Sequence, residues 1–445
     1  MDKKNAKREI NDVLYYQDIQ LKELSDNKLS INTCVEDSET LLKELGYQLP
    51  SKTEDNKPSK KVINVQGWHD IVEQAEKCTG SGHEIEDLFS QKELIENSIF
   101  VKTINDDFKQ IYRLDKIDYT ICICCGLLAA VTDILLVGIP GPGVNGTEAG
   151  PLSDWIRDRF HEMIPDEKVA ELEKFKYAKV PYDAQDRNTL IYVEGLSAYY
   201  HRLLEIGHDP LLGFIVGVYD IMHGSMTTID KRGMLVNQVM ENYSDRIETR
   251  LFDAIAKEFL HLMSDVNTSM GLPAPLMSLF NFLQVGKIGE DKLNIAEIVQ
   301  GMYYQGYDFI HFCSMSIPVM LVEVLTRVCY TAKRMREGIP LKDAVAITTD
   351  REKNPKLGTM MFIAHSIAAA SNAGKVYLSK RPEAINYPQW IVFAVNSYKQ
   401  LKWSMIDKPE LAEEYYTERI YEELSGVYES IDSFIEENYT LSDER

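Results

Sequence analysis

The chain has 445 residues, of which 44% are hydrophobic and 26% charged; this marks a folded protein and allows two or three domains. Its 48 Lys and Arg against 69 Asp and Glu leave a net charge of −21, which argues against nucleic acid as a partner and against broad electrostatic attachment to anionic lipid. The seven cysteines are an odd number; three crowd together as Cys122, Cys124 and Cys125 in an apolar segment, with no zinc-ligand partners at suitable spacing, and read as reduced, buried thiols of an intracellular protein.

Residues 1–62 read as an N-terminal helical accessory region that ends in a polar, Pro- and Lys-bearing linker, 50–61. Its start is charged and amphipathic with no apolar stretch behind it, so no cleavable secretory signal is expected, and the protein is placed in the cytoplasm or at the cytoplasmic membrane. Residues 63–118 form a helical lead-in, in which Trp68, Ile71, Val72 and Ala75 fall on one helix face. Residues 119–404 carry the apolar mass in five runs, at 121–139, 211–222, 275–285, 309–330 and 359–370. Period-2 alternation is scarce there, so the expected fold is mainly α, a multi-helix bundle with several long apolar helices. Residues 405–445 hold thirteen acidic against three basic side chains. They read as an acidic amphipathic C-terminal helix over 409–437, with Leu411, Tyr415, Leu424, Tyr428, Ile431 and Ile435 in one stripe.

The glycines Gly141, Gly143 and Gly146 are spaced G-x-G-x-x-G after an apolar run. A dinucleotide site needs a short strand before that turn and a helix directly after it. Here the preceding run, Ile121–Ile139, has 19 residues, and the next helix is expected only near Ser153, with Ser153 and Asp154 as its caps. The better reading is a helix that ends at Gly138, with Pro140 and Pro142 preventing its continuation. The run nearly spans a bilayer: ten Ile, Leu and Val at about −0.5 kcal/mol each are opposed by Asp133 at about +3. Asp133 therefore requires a partner inside a bundle. The run 309–330 is similar, with His311, Pro318 and an i, i+4 pair, Glu323 and Arg327.

Polar residues inside apolar segments are the candidates for chemistry. The stretch 201–224 holds His201, His208, Asp209, Asp220 and His223, and 259–269 holds His261, Ser264 and Asp265. His261 and Asp265 share a helix face, and a His–carboxylate pair at that spacing suits a metal or a base with its orienting acid. The catalytic candidates are His208, Asp220, His261 and Asp265, and the metal candidates are His261 and Asp265. His365, Asn372 and Lys375 form a further polar group. No nucleophile motif is present, and no cofactor is specified.

The segments "LDKIDYTICICCGLLAAVTDILLVGIPG", "HRLLEIGHDPLLGFIVGVYD", "FLHLMSDVNTSMG" and "MSIPVMLVEVLTR", spanning roughly 114–330, resemble a family of bacterial helical proteins with membrane-like segments and no known activity. The resemblance implies a second histidine where this chain has Tyr200, a departure that counts against a metal role for His201 if the pair matters in the family. The resemblance implies a shared helical body and nothing about substrate. The leading expectation is a membrane-associated helical protein, an effector that inserts or oligomerises at the inner membrane, with lipid and further copies of itself as partners. The alternatives are a soluble helical enzyme with a His/Asp metal site, and a soluble scaffold that docks through its acidic tail.

Overall fold

The computed structural model describes residues 3–44, 61–63, 67–143, 146–184, 189–268, 271–288 and 291–441. Most of the linker 50–61 lies outside them. Helix accounts for 72% of the structure and strand for 5%, so the fold is mainly α, and a multi-helix bundle describes it.

The chain divides into two units, 1–111 with 406–445, and 112–405. In the first unit α1 (Lys3–Glu44) pairs with α2 (Trp68–Thr79), and Val13, Val72 and Ala75 form a small core. Trp68, expected on the same face, remains half exposed. This unit also contains α3 (Gln91–Tyr112) to residue 111, the parallel pair β1 (Lys61–Ile63) with β6 (Tyr439–Leu441), and the acidic helix α15 (Lys408–Asn438). Tyr416 of α15 donates to Asn105 of α3 at 2.8 Å, and Tyr415 packs on Phe108. Beyond that turn the expected stripe of α15 is uncovered at Leu424, Tyr428 and Ile431.

The second unit contains, in chain order, α4 (Lys116–Val131), the hairpin β2 (Gly141–Gly143) with β3 (Gly146–Glu148), α5 (Pro151–Met163), α6 (Asp166–Lys174), the one-turn α7 (His201–Leu204) and α8 (Val216–His223). The hairpin β4 (Ser225–Ile229) with β5 (Leu235–Val239) follows, then α9 (Leu251–Asp265), α10 (Ile295–Tyr304), α11 (Phe309–Arg336), α12 (Leu341–Ala344), α13 (Leu357–Ser379) and α14 (Tyr387–Lys402). Sequence reading missed the β4–β5 hairpin, because both strands are short and β4 is buried at four of its five positions, which leaves no period-2 alternation.

Asp115 caps α4 by accepting from the backbone of Ile117 and Asp118, and Asp118 returns the favour to Asp115 N–H. The helix widens into a π-turn at Thr132–Val137 and stops at Gly138, whose φ of +72° no L side chain adopts easily. The glycines that follow form β2–β3, and the next helix begins at Pro151, two residues earlier than expected. Pro151 occupies the first helical position, where its missing N–H costs nothing. Ser153 is therefore no cap: it lies inside α5 and donates to Val137 O at 2.8 Å. Asp154 instead accepts from Ala149 N–H at 3.0 Å.

Helices α4, α11, α13 and α14 pack together, with Cys122, Ala129, Val322, Tyr330, Met360 and Ala364 in the core of the first three. The helical run Gln91–Val137 and helix Phe309–Arg336 are long and apolar enough to cross a membrane, as core helices of soluble proteins also can be; 44% of each apolar stretch is buried. The outward side of the bundle is uncommonly apolar. Along α4 and its π-turn, Ile123, Leu127, Leu128, Val131, Ile134 and Leu135 are all exposed, as are Met320, Val324 and Val328 of α11. Its inside holds buried polar groups, among them Asp133, Ser314, Thr326, His365, Asn372 and Gln389.

Candidate functional site

The lobe formed by residues 178–265 brings three histidines together. His201 opens α7, His208 closes the following 3₁₀ turn, and His261 lies in the last turns of α9. Asp209, ahead of Pro210, accepts from the N–H groups of Leu211 and Leu212 at 3.0 Å, and this turn fixes the His208 backbone. Two close approaches seat the lobe. A Cβ on Gly207 would meet the Tyr182 ring at 2.5 Å, and one on Gly217 would meet Glu258 Oε2 at 2.6 Å. Glycine is required at both places for packing, not for backbone conformation.

The centre is a triangle of three atoms. His208 Nε2 and His261 Nε2 are 3.1 Å apart, and Asp265 Oδ2 lies 3.4 Å from the first and 3.6 Å from the second. All three residues are buried. The backs of the rings are engaged. His261 Nδ1 lies 3.0 Å from Ala178 O, which makes Nδ1 a donor and turns Nε2 towards the centre. His208 Nδ1 lies 3.0 Å from Glu205 Oε2, although neither atom has hydrogen-bond geometry. His201 Nδ1 similarly faces Ala198 O at 3.0 Å, and its Nε2 is 3.8 Å from Asp183 Oδ1. Asp183, His201 and His208 form a second set of converging donors, and the partly exposed Asp183 carries it to the surface.

Around the triangle, Arg202 grips both oxygens of Asp265, at 3.1 and 3.2 Å. Tyr182 sets its ring edge-on to both His208 and His261, and its hydroxyl donates to Glu258 Oε2 at 2.5 Å. Burial pushes His208 down to about 4, so its imidazole is neutral at pH 7 and ready to act as a ligand. Burial also lowers His201, helped by the Arg202 charge. Burial works to raise Asp265, yet the charges of His261 and Arg202 outweigh it and hold that carboxylate below its usual range. Glu205 and Glu258 are pushed well up, chiefly by burial and then by neighbouring carboxylates, with the Tyr182 hydrogen bond opposing the rise at Glu258. Arg202 thus faces the Asp265 and Asp183 carboxylates, while Glu205 and Glu258 are held towards their neutral forms.

Asp220, expected beside the histidines, serves elsewhere. It accepts from Ser225 Oγ at 2.6 Å and from Thr227 N and Oγ1 at 2.9 Å, pinning the root of the β4–β5 hairpin. His223 is exposed and stacks on Tyr219. The remaining polar candidates lie in the bundle. Asp133 accepts from Asn372 Nδ2 at 2.9 Å and Asn386 Nδ2 at 2.8 Å, and Lys375 Nζ is 3.3 Å away. Glu323 and Arg327 pair at 2.9 Å as spaced, and Glu323 also reaches His365 Nε2 at 3.2 Å. His311 is buried with Ser153 Oγ 3.5 Å from its Nδ1.

Sequence reading missed Tyr182, Asp183, Arg202, Glu205 and Glu258 in the site. One signal was available: Glu258, His261 and Asp265 are spaced i, i+3, i+7 and so share one stripe of α9. Tyr182 and Asp183 lie in irregular chain where no periodicity marks them. No family model, curated protein or solved structure matches this chain.

Proposed function

We propose that the second unit is a metal-dependent hydrolase centred on His208, His261 and Asp265. The triangle of donor atoms carries this reading. Ligands at about 2.0–2.1 Å from a tetrahedral zinc stand roughly 3.3–3.4 Å from one another. The three edges here, 3.1, 3.4 and 3.6 Å, average close to that value. Two imidazoles and a carboxylate are donors that zinc accepts, and three protein ligands leave the fourth position to water. A metal held by these three residues would supply a water of lowered pKa for hydrolysis. Ala178 O holds the His261 ring from its far side, as partners of metal-bound histidines do, and Glu205 Oε2 stands 3.0 Å behind His208 Nδ1. A divalent ion held there would lie beside the Asp265 carboxylate, which stays below its usual range. Arg202 keeps Asp265 in place, and His201 with Asp183 forms a polar path from the ion to the surface.

The test is hydrolysis of p-nitrophenyl phosphate, bis-p-nitrophenyl phosphate and p-nitrophenyl acetate by the full chain. The zinc-loaded protein is expected to cleave at least one, and chelation or His261→Ala to abolish it. Equal rates for the loaded protein and His261→Ala on all three substrates would overturn the hydrolytic reading.

A second reading concerns location, and the apolar exterior of the bundle supports it. Soluble proteins seldom leave a whole helix face of Ile, Leu and Val uncovered. In lipid that arrangement is favourable, and polar groups turn inward to one another. We propose that the α4 and α11 faces contact lipid or a further copy of the chain. Flotation with phosphatidylcholine vesicles checks this: the protein should rise with the vesicles, and a monomer left at the bottom of the gradient contradicts it.

A further inference from the structure

A cavity of about 410 Å³ lies in the second unit between the 3₁₀ turn Met277–Phe282, helix α10 and the turn Pro382–Ala384 that leads into α14. Met277, Val299, Met302 and Ile385 contribute to its wall, and no polar atom faces the space. The one polar group best placed to do so is turned into the wall. Tyr307 donates its hydroxyl to Ile385 O at 2.7 Å and accepts from Tyr387 N–H at 3.1 Å. The other walls are fixed with equal care. Asn294 caps α10, and Gln300 on that helix donates to Asn281 in the 3₁₀ turn at 3.0 Å.

These hydrogen bonds hold the space open, and its size exceeds a packing flaw. Voids in protein interiors are rarely larger than a water molecule. An apolar cavity of roughly 150 Å³ already stays dry and takes up benzene. The present volume falls within the range of about 300–1,000 Å³ typical of small-ligand sites. Such sites ordinarily carry a few polar groups that orient a ligand; this one carries none. Its occupant therefore has no charge and no hydrogen-bonding group at the buried end. Ile288, a lining residue that is half exposed, marks the side open to the surroundings.

We infer that this cavity binds the hydrocarbon chain of an amphiphile, with the chain buried against Val299 and Met302 and the polar end outside past Ile288. The site is independent of the metal centre, since it shares no residue with the His208, His261 and Asp265 triangle.

The experiment uses the full chain with 11-(dansylamino)undecanoic acid as a fluorescent probe and straight-chain alcohols from hexanol to decanol as competitors. Displacement should tighten roughly fourfold for each added methylene and level off when the cavity is full. Val299→Trp, which fills the space, should weaken the probe at least tenfold while zinc content stays unchanged. Because that variant could misfold, wild-type crystals soaked in 10-bromo-1-decanol supply a second reading, with the bromine expected beside Met302. Displacement by decanol identifies a free amphiphile as an occupant, and displacement by didecanoylphosphatidylcholine a membrane lipid; either upholds a chain site. Affinity independent of chain length, a folded Val299→Trp that binds as wild type, or bromine found only outside the cavity overturns the inference.

Discussion

The histidine lobe and the four-helix bundle both bury polar side chains, but they treat them differently. In the bundle, charged groups meet their partners. Asp133 is held by Asn372, Asn386 and Lys375, and Glu323 by Arg327 and His365. The buried side-chain atoms left without a hydrogen bond there are uncharged, Thr326 Oγ1 and Gln389 Oε1. In the lobe, Glu205 Oε2, His208 Nδ1, Asp209 Oδ2 and Glu258 Oε1 are buried without one, and two histidine nitrogens face each other. A completed network fixes structure. An incomplete one, in which lone pairs converge on one point, is arranged for something else to complete it.

Breaking the bundle network should produce the largest change. Asp133→Ala leaves Lys375 buried without its carboxylate, and the expected loss is about 3–5 kcal/mol in denaturant unfolding. A loss within about 0.5 kcal/mol would show that the network is not what holds α4 to α13.

The lobe should respond to pH instead. His208 is depressed to about 4 from an ordinary value near 6.5, so the unfolded chain binds its proton more readily than the folded one. Stability contributed by the neutral ring is complete above about pH 6.5 and is lost as pH falls from there towards 4. The loss in metal-free protein is roughly 3 kcal/mol. His208→Gln should flatten that part of the stability profile, measured by urea unfolding at pH 4.5 and 7. A profile unchanged by the substitution contradicts the assignment.

Smaller effects sharpen the contrast. Glu205→Gln keeps the shape behind His208 but replaces its carboxyl group with an amide, so zinc affinity in a chelator competition should fall about 10- to 100-fold with the fold intact. Gly217→Ala places a methyl group against Glu258 and should cost about 1–3 kcal/mol by crowding. Leu127→Gln on the exposed α4 face should change stability by no more than about 0.5 kcal/mol and yet weaken vesicle binding. Unchanged flotation would remove that face from the membrane reading.

The bundle was largely legible in the sequence. Long apolar runs give helices, and a carboxylate within one announces a buried partner, so Asp133 could be singled out before its partners were known. Those partners could not, since Asn372 and Asn386 lie more than 230 positions away and only tertiary packing brings them near. The i, i+4 pairs Glu323–Arg327 and His261–Asp265 were readable because helix geometry alone places them on one face. Adding His208 to the second pair depends on the Asp209–Pro210 turn and on glycines that admit Tyr182 and Glu258. No local pattern reports those approaches. Asp220 misled for the same reason: a buried carboxylate near histidines in sequence was committed to a hairpin that the period-2 signal did not reveal.

The central claim is the metal at the histidine triangle, and X-ray absorption at the zinc edge of the loaded full chain, with elemental analysis, tests it most directly. The account predicts one zinc per chain, bound by nitrogen and oxygen at about 2.0–2.1 Å, with imidazole scattering that is lost in His208→Ala and His261→Ala. No stoichiometric zinc, or the same bound zinc in both variants, would contradict it.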